Sequence, residues 1–252
     1  MTEALKARAP SYSSALRALL TADATVLMRS RQVVILNFLV PIVILFITNR
    51  GRFGNPGFLI GMALTYGLVS SGVIGYPTSV ARDREAGVFQ RLRVTPAPSW
   101  AIMASRLSVQ FAADLVMAVV VMIVGSVLHG VTFTVGEYVL ILAISLLGAA
   151  EFLAMGQTLV GLLKSLGTIN AVARLLYIAL FLTGILGTTG ILGSDFQTFS
   201  EWTPVGALMD LFSAAANTAA WSVQNTWQLI ACFGYAAVFA VLGIRWFRWE
   251  AT

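Results

Sequence analysis

The chain has 252 residues, 58% of them hydrophobic and 11% charged, with a mean hydropathy of +0.85. A soluble domain carries ~45–50% apolar and ~25% charged residues, so an ordinary water-soluble enzyme is excluded; a disordered chain, which is poor in apolar residues, is excluded too. The net charge of +5 reads as membrane topology, because nucleic-acid binding needs a concentrated basic face on a soluble domain.

Residues 1–32 carry charges throughout and lack the short apolar core and small-residue cleavage site of a signal peptide. Tyr12 to Arg31 reads as an amphipathic helix. Tyr12, Leu16, Leu19, Leu20 and Leu27 recur at helical steps, and Arg17, Asp23 and Arg31 fall elsewhere. Such a helix is expected to lie in the membrane interface.

Six apolar runs follow: Val33 to Asn49 with Pro41 inside, Phe58 to Val80, Trp100 to Leu128, Val135 to Leu163, Ala171 to Leu192, and Thr226 to Phe247. They are too long and alternate too little for the ~10-residue strands of a membrane barrel, which leaves helices. Between the last two runs, residues 193–225 hold a short apolar stretch, Val205 to Ala216, behind Pro204. It is too short to span and reads as a re-entrant or interfacial helix.

Arginine and lysine set the orientation. Lys6, Arg8, Arg17, Arg29 and Arg31 precede the first run. Arg82, Arg84, Arg91, Arg93 and Arg106 lie between the second and third, Lys164 and Arg174 between the fourth and fifth, and Arg245 and Arg248 at the end. Only Arg50 and Arg52 fall on the other side, and residues 193–225 carry Asp195, Glu201 and Asp210 with no Arg or Lys. The positive-inside rule therefore places both termini in the cytoplasm. Trp246 and Trp249 fit an anchor at the same interface.

No phosphate-binding G-x-x-x-x-G-K-[ST] loop is present, so any ATP hydrolysis is expected from another chain. No histidine or cysteine cluster suggests a metal. His129 sits in a turn with Gly130 and reads as polar loop surface, and Cys232 as a small packing residue. Asp114 and Glu151 fall inside the third and fourth runs at similar depth. A mid-membrane carboxyl costs ~2.5–3.5 kcal/mol and needs a partner, a proton or a polar cavity. Two readings stay open: a proton relay or substrate contact, and hydrogen bonding to a neighbouring helix through Ser145, Gln157 or Gln110. If the two carboxyls face each other, one is expected to hold a proton.

The stretch from Val80 to Pro98 opens on alternating charges, contains Gly87 and ends on Thr95-Pro96. It reads as a short charged helix with Val88, Phe89 and Leu92 as apolar residues, tethered to two spans. Such an element can enter a groove on a cytosolic partner and pass on its movement; the plainer reading is a solvated loop that supplies inside-positive charge.

Arg84, Glu85, Gly87, Leu92, Thr95 and Pro96 match, in order and spacing, the R-E-x-G-x-x-x-x-L-x-x-T-P signature of permease subunits of ABC-2 type exporters, which this chain resembles. The run Trp202-Thr-Pro-Val-Gly-Ala-Leu-Met-Asp-Leu-Phe212 resembles the family's proline-containing segment before the last span. Gln90 departs from the glutamate many members carry.

The resemblance implies an all-α polytopic protein. It has a cytoplasmic N-terminus with an interface helix over 1–32, then one six-helix transmembrane domain over 33–252. That domain has a coupling loop at 81–99 and an external re-entrant segment at 193–225. It implies a homodimer, or a pair of similar chains, in the bacterial inner membrane. Two cytosolic ATPase subunits would bind the ATP and magnesium, and the permease would bind no cofactor of its own. Coupling falls to Arg82, Arg84, Glu85, Gly87, Phe89, Arg91, Leu92, Thr95 and Pro96, with Glu85 and Arg91 as polar contacts. The substrate path, a seam lined by spans two and five, brings in Tyr66, Ser70, Ser71, Tyr76, Phe181, Thr183 and Thr188. The expected cargo is amphipathic, drug-like or lipid-like. The alternatives are a proton-coupled carrier or channel built on Asp114 and Glu151, and a membrane scaffold.

Overall fold

The computed structural model describes residues 12–50, 55–93 and 99–246. Helix α1 (Tyr12–Arg29) is followed by α2 (Arg31–Arg50), which contains Pro41. Helix α3 (Pro56–Val69) passes through a π-helical segment, Ser70–Gly75, directly into α4 (Tyr76–Glu85). After α5 (Val88–Arg93) come the long helices α6 (Ser99–His129), α7 (Val135–Leu162) and α8 (Leu166–Thr189). Two short helices, α9 (Ser194–Glu201) and α10 (Pro204–Ala215), lead through a 3-10 turn at Thr218–Ala220 to α11 (Val223–Trp246).

Among the described residues five helices are long and apolar enough to cross a membrane: Pro56–Glu85, Trp100–His129, Val135–Leu162, Leu166–Thr189 and Val223–Trp246. Within α2 the apolar stretch Asn37–Asn49 is shorter. The helix expected over Ala171 to Leu192 begins at Leu166 because the Ser165 hydroxyl accepts from the Thr168 N–H and caps it there. It stops at Gly190, in the left-handed region at φ 64°, rather than at Leu192.

The second span differs most from expectation. It runs unbroken from Pro56 to Glu85, so Arg82, Arg84 and Glu85 extend the span rather than starting a separate loop helix. Asn55 caps its start, accepting from the Gly57 N–H at 3.0 Å, with Pro56 in the first turn. Pro77 lacks the N–H for a regular helical bond, and the wider π turn lies directly ahead of it.

This helix is the central post. Of the residues in its apolar stretch 83% are buried, against 17% in α8 and in α11. Glycines let backbones reach it. A Cβ on Gly156 of α7 would sit 2.0 Å from the Gly72 carbonyl oxygen, and one on Gly61 would sit 2.5 Å from the Phe212 Cβ of α10. Around the post Tyr66, Leu68, Val73, Met117, Ile144, Phe152 and Phe212 form the apolar core.

Helix α10 is buried almost throughout, with Val205, Leu208, Met209 and Leu211 inaccessible. It packs against the first half of α3, opposite the end that carries α4 and α5. Thr203 caps it and Pro204 opens it. At 12 residues it is about 18 Å long, too short to span. The expected Val205–Ala216 helix is therefore present, with α9 added before it. Helices α7 and α11 pack along their length, where the Thr158 hydroxyl donates to the Phe239 carbonyl at 2.8 Å.

Gly156→Ala forces the post and α7 apart and is expected to cost about 1–3 kcal/mol, read as a lower unfolding temperature of the purified protein in detergent. Gly234→Ala on α11, where a Cβ meets nothing within 4 Å, leaves that temperature unchanged or raises it.

Candidate functional site

The charged end of α4 lies against the junction of α7 and α8. The Arg84 guanidinium donates to the Val160 carbonyl at 2.9 Å and the Leu163 carbonyl at 3.1 Å. The last carbonyls of a helix lack intrahelical partners and carry partial negative charge, so a buried cation fits there. The next residue does the reverse. Glu85 Oε1 accepts from the Leu166 N–H at 2.8 Å, at the positive start of α8. Two consecutive side chains thus clasp the end of one span and the beginning of the next.

Helix α4 ends at Glu85, and the chain turns at Gly87, whose φ of 69° is the left-handed conformation that side chains resist. Its N–H donates to the Arg84 carbonyl, and its own carbonyl accepts from Arg91 in α5. The expected single charged helix is therefore two pieces joined at a glycine corner. Phe89 anchors α5, fully buried among Tyr76, Val80, Ile102, Leu153 and Val160.

Arg106, in the first turns of α6, ties the surrounding pieces together. It pairs with Asp83 at 2.7 Å and approaches Asp23 of α1 at 3.9 Å. Its guanidinium carbon stands 4.7 Å from the centre of the Phe89 ring, within cation–π range. The Ser105 hydroxyl donates to the other Asp23 oxygen. Burial pushes the Asp23 carboxyl above its ordinary value, while the Ser105 hydrogen bond and the Arg106 charge pull it down. Asp23, Asp83 and Arg106 were missed as site residues because each lies on a different helix. The available signal was an acidic residue on the apolar-periodic α1 and an arginine just inside a span.

Arg82, Gln90 and Arg91 are exposed beside this corner. Leu92 lies in α5, and Thr95 and Pro96 lie outside the described residues. Glu85, expected to reach a partner, spends one oxygen within the chain.

The residues expected along a substrate path separate into two groups. Tyr66, Ser70, Ser71 and Tyr76 are buried in the post. Tyr66 donates to the Phe181 carbonyl at 3.0 Å and packs its ring on Phe181. Tyr76 donates to Gln157 Oε1 at 2.6 Å. Within this chain these groups hold helices together. On α8, Phe181 and Thr183 are partly exposed and Thr188 is exposed; both threonine hydroxyls bond back to their own helix.

The two membrane carboxyls have separate surroundings. One Asp114 oxygen accepts from Ser71 and Gln110; Gln110 lies on the same helix as Asp114, so the bond to a neighbouring helix comes from Ser71, which was not among the expected partners. Glu151 is fully buried beside the Cys232 thiol of α11, with no nitrogen or oxygen donor to either carboxyl oxygen among the described residues. Ser145 bonds its own helix and Gln157 bonds Tyr76, so neither serves Glu151. His129 reaches Thr48 and the Gly125 carbonyl. Among the described residues no group of His, Cys, Asp and Glu could hold a metal ion.

Long apolar helices around a buried central span, with an ion-paired corner at one end, define a multi-pass membrane protein. The chain belongs to the ABC-2 type transporter family, whose model matches residues 14–216. It is also similar to the protein named "Putative transport permease YvfS" of Bacillus subtilis (strain 168), with 22% identity over 148 residues. The match covers 58% of this chain and spans 60% of that relative's length.

Arg84→Ala removes the donor to the buried Val160 carbonyl and the half-buried Leu163 carbonyl and is expected to cost about 2–3 kcal/mol; Arg84→Lys, with a single donor centre, recovers less than half. Thermal unfolding in detergent reads both. The raised Asp23 carboxyl binds its proton more tightly in the folded chain than in the unfolded one. Its contribution to stability is thus present below its ordinary value of 3.8 and falls as pH rises toward the raised folded value. Asp23→Asn removes that part of the pH–stability curve, measured by unfolding between pH 3 and pH 8.

Proposed function

We propose that this chain is the membrane half of an ATP-driven exporter that moves an amphipathic, drug-like or lipid-like compound out of the cytoplasm or inner leaflet. The working unit is two copies of the chain with two cytosolic ATPase subunits, which bind ATP and magnesium. The chain crosses the bacterial inner membrane six times, α2 included, with both termini and the α4–α5 corner in the cytoplasm. Residues 1–32 precede one transmembrane domain.

The observation that carries this reading is the Arg84–Glu85 clasp. The ATPase pushes on α5 and the exposed Arg82, Gln90 and Arg91. The clasp and the continuous α3–α4 post pass that push to the α7–α8 junction and to the centre of the bundle. Arg106 moves α1 and the foot of α6 with it. The energy of ATP closure thus reaches spans two, three, four and five as one displacement, which is what opening a path between two permeases requires. Phe181, Thr183 and Thr188 on the lightly buried α8 are the path residues placed to meet cargo or a second copy.

The test is co-expression with a P-loop ATPase from a reading frame adjoining this gene, purification through a tag on this chain, and ATP hydrolysis in lipid. The ATPase is expected to co-purify, with hydrolysis stimulated by an amphipathic compound. Glu85→Ala and Gly87→Ala are expected to cut that stimulation by about tenfold, the effect of ~1.4 kcal/mol, while the permease stays folded. Absence of any retained ATPase, or stimulation unchanged in both variants, rejects the reading.

A further inference from the structure

At the end opposite the ion-paired corner, an open, shallow groove of about 450 Å³ lies between the α9–α10 turn and α11. That volume suits a small organic molecule. It is lined by Thr198, Phe199, Trp202, Thr203, Pro204 and Tyr235. Phe199 is 63% and Trp202 41% exposed, so both rings present free faces. The Tyr235 hydroxyl donates to the Trp202 carbonyl. This bond ties α11 to the turn and fixes the tyrosine ring as a wall. Aromatic residues that merely anchor a protein at a membrane interface point outward singly, with polar tips in the headgroups. Here three rings from two elements converge on one groove, and the tyrosine tip is turned inward.

The lining itself is uncharged, and the aromatic faces together with the acidic segment around them point to the occupant. Residues 193–225 carry Asp195, Glu201 and Asp210 and no Arg or Lys. Glu201 directly precedes Trp202, and its carboxylate accepts from Gln224 at 2.9 Å. The start of α10, which would otherwise favour an anion, has Pro204 without an N–H, and Thr203 accepts from the Gly206 N–H. Aromatic faces attract cations. We propose that this groove is a binding site for a hydrophobic organic cation, an ammonium or phosphonium carried on apolar groups. That such a cation is also the cargo rests on the exporter reading. Binding to the groove does not.

The test therefore measures binding to the purified full chain without ATP or ATPase. Labelled tetraphenylphosphonium is dialysed to equilibrium against the protein in neutral detergent, and the component displaced by excess unlabelled cation is counted. One saturable site per chain is expected. Phe199→Ala and Trp202→Ala weaken it by about tenfold and Glu201→Gln by about threefold, whereas Trp202→Phe keeps most of the affinity and controls for folding. Trp227→Ala, on an exposed ring outside the groove, changes nothing. Neutral triphenylphosphine oxide competes at least about tenfold more weakly than the cation. The proposal is overturned by absence of a saturable component, by equal competition from the neutral compound, or by unchanged binding in Phe199→Ala and Trp202→Ala. A change of oligomeric state in Phe199→Ala also overturns it, because the groove would then be a subunit interface.

Discussion

Gly72 and Gly156 bring the backbones of two helices together where any larger side chain would hold them apart. The rest of the arrangement depends on that approach. It seats the second span inside the bundle, and α6, α7, α8 and α10 close around it. It also carries the end of α4 to the foot of α7, within reach of the Val160 and Leu163 carbonyls. Lipid offers no hydrophobic gain for burying one apolar helix against another, so close backbone packing and polar bonds between helices must supply specificity. Tyr66 to Phe181, Tyr76 to Gln157 and Thr158 to Phe239 are bonds of that second kind.

The Arg84–Glu85 pair gives a physical meaning to two letters of the family signature. A cation at a helix C-terminus and an anion at a helix N-terminus are each favourable alone. Placed on adjacent residues, they require the two helix ends to be neighbours, and a three-residue connection between α7 and α8 makes them so. The glycine two residues later then turns the chain, and Phe89 secures α5 from below. The basic face left outside, Arg82 with Arg91, is separate from the residues that do the holding.

The long apolar runs, their order, the amphipathic first helix and the short helix behind Pro204 were legible in the sequence because each depends on local pattern. The continuity of the second span was not. Charges after Val80 mimic a boundary, yet they lie where polar side chains meet helix ends instead of lipid. The hydroxyls of Tyr66, Ser71 and Tyr76 read equally well as a lining or as packing, and only tertiary placement separates the two. Asp114 and Glu151 looked like a pair because depth follows from counting residues, whereas facing depends on helix rotation, which counting does not supply. Arg106 contributed only one unit to a charge tally, since its value lies in three partners remote in sequence.

The π-helical segment at Ser70–Gly75 has a consequence for phase. A π turn holds about one residue more than an α turn, and one residue is about 100° of rotation. The first half of the Pro56–Glu85 helix faces α10 through Gly61, and its second half faces the α7–α8 junction through Arg84 and Glu85. The extra residue sets the angle between those two faces. Shortening the segment by one residue would leave the first half seated and swing the Arg84–Glu85 clasp about a quarter turn away from the ends it holds. The wide turn therefore acts as a phase adjuster between two binding faces of one helix, and the length of this six-residue segment is as strongly constrained as its composition.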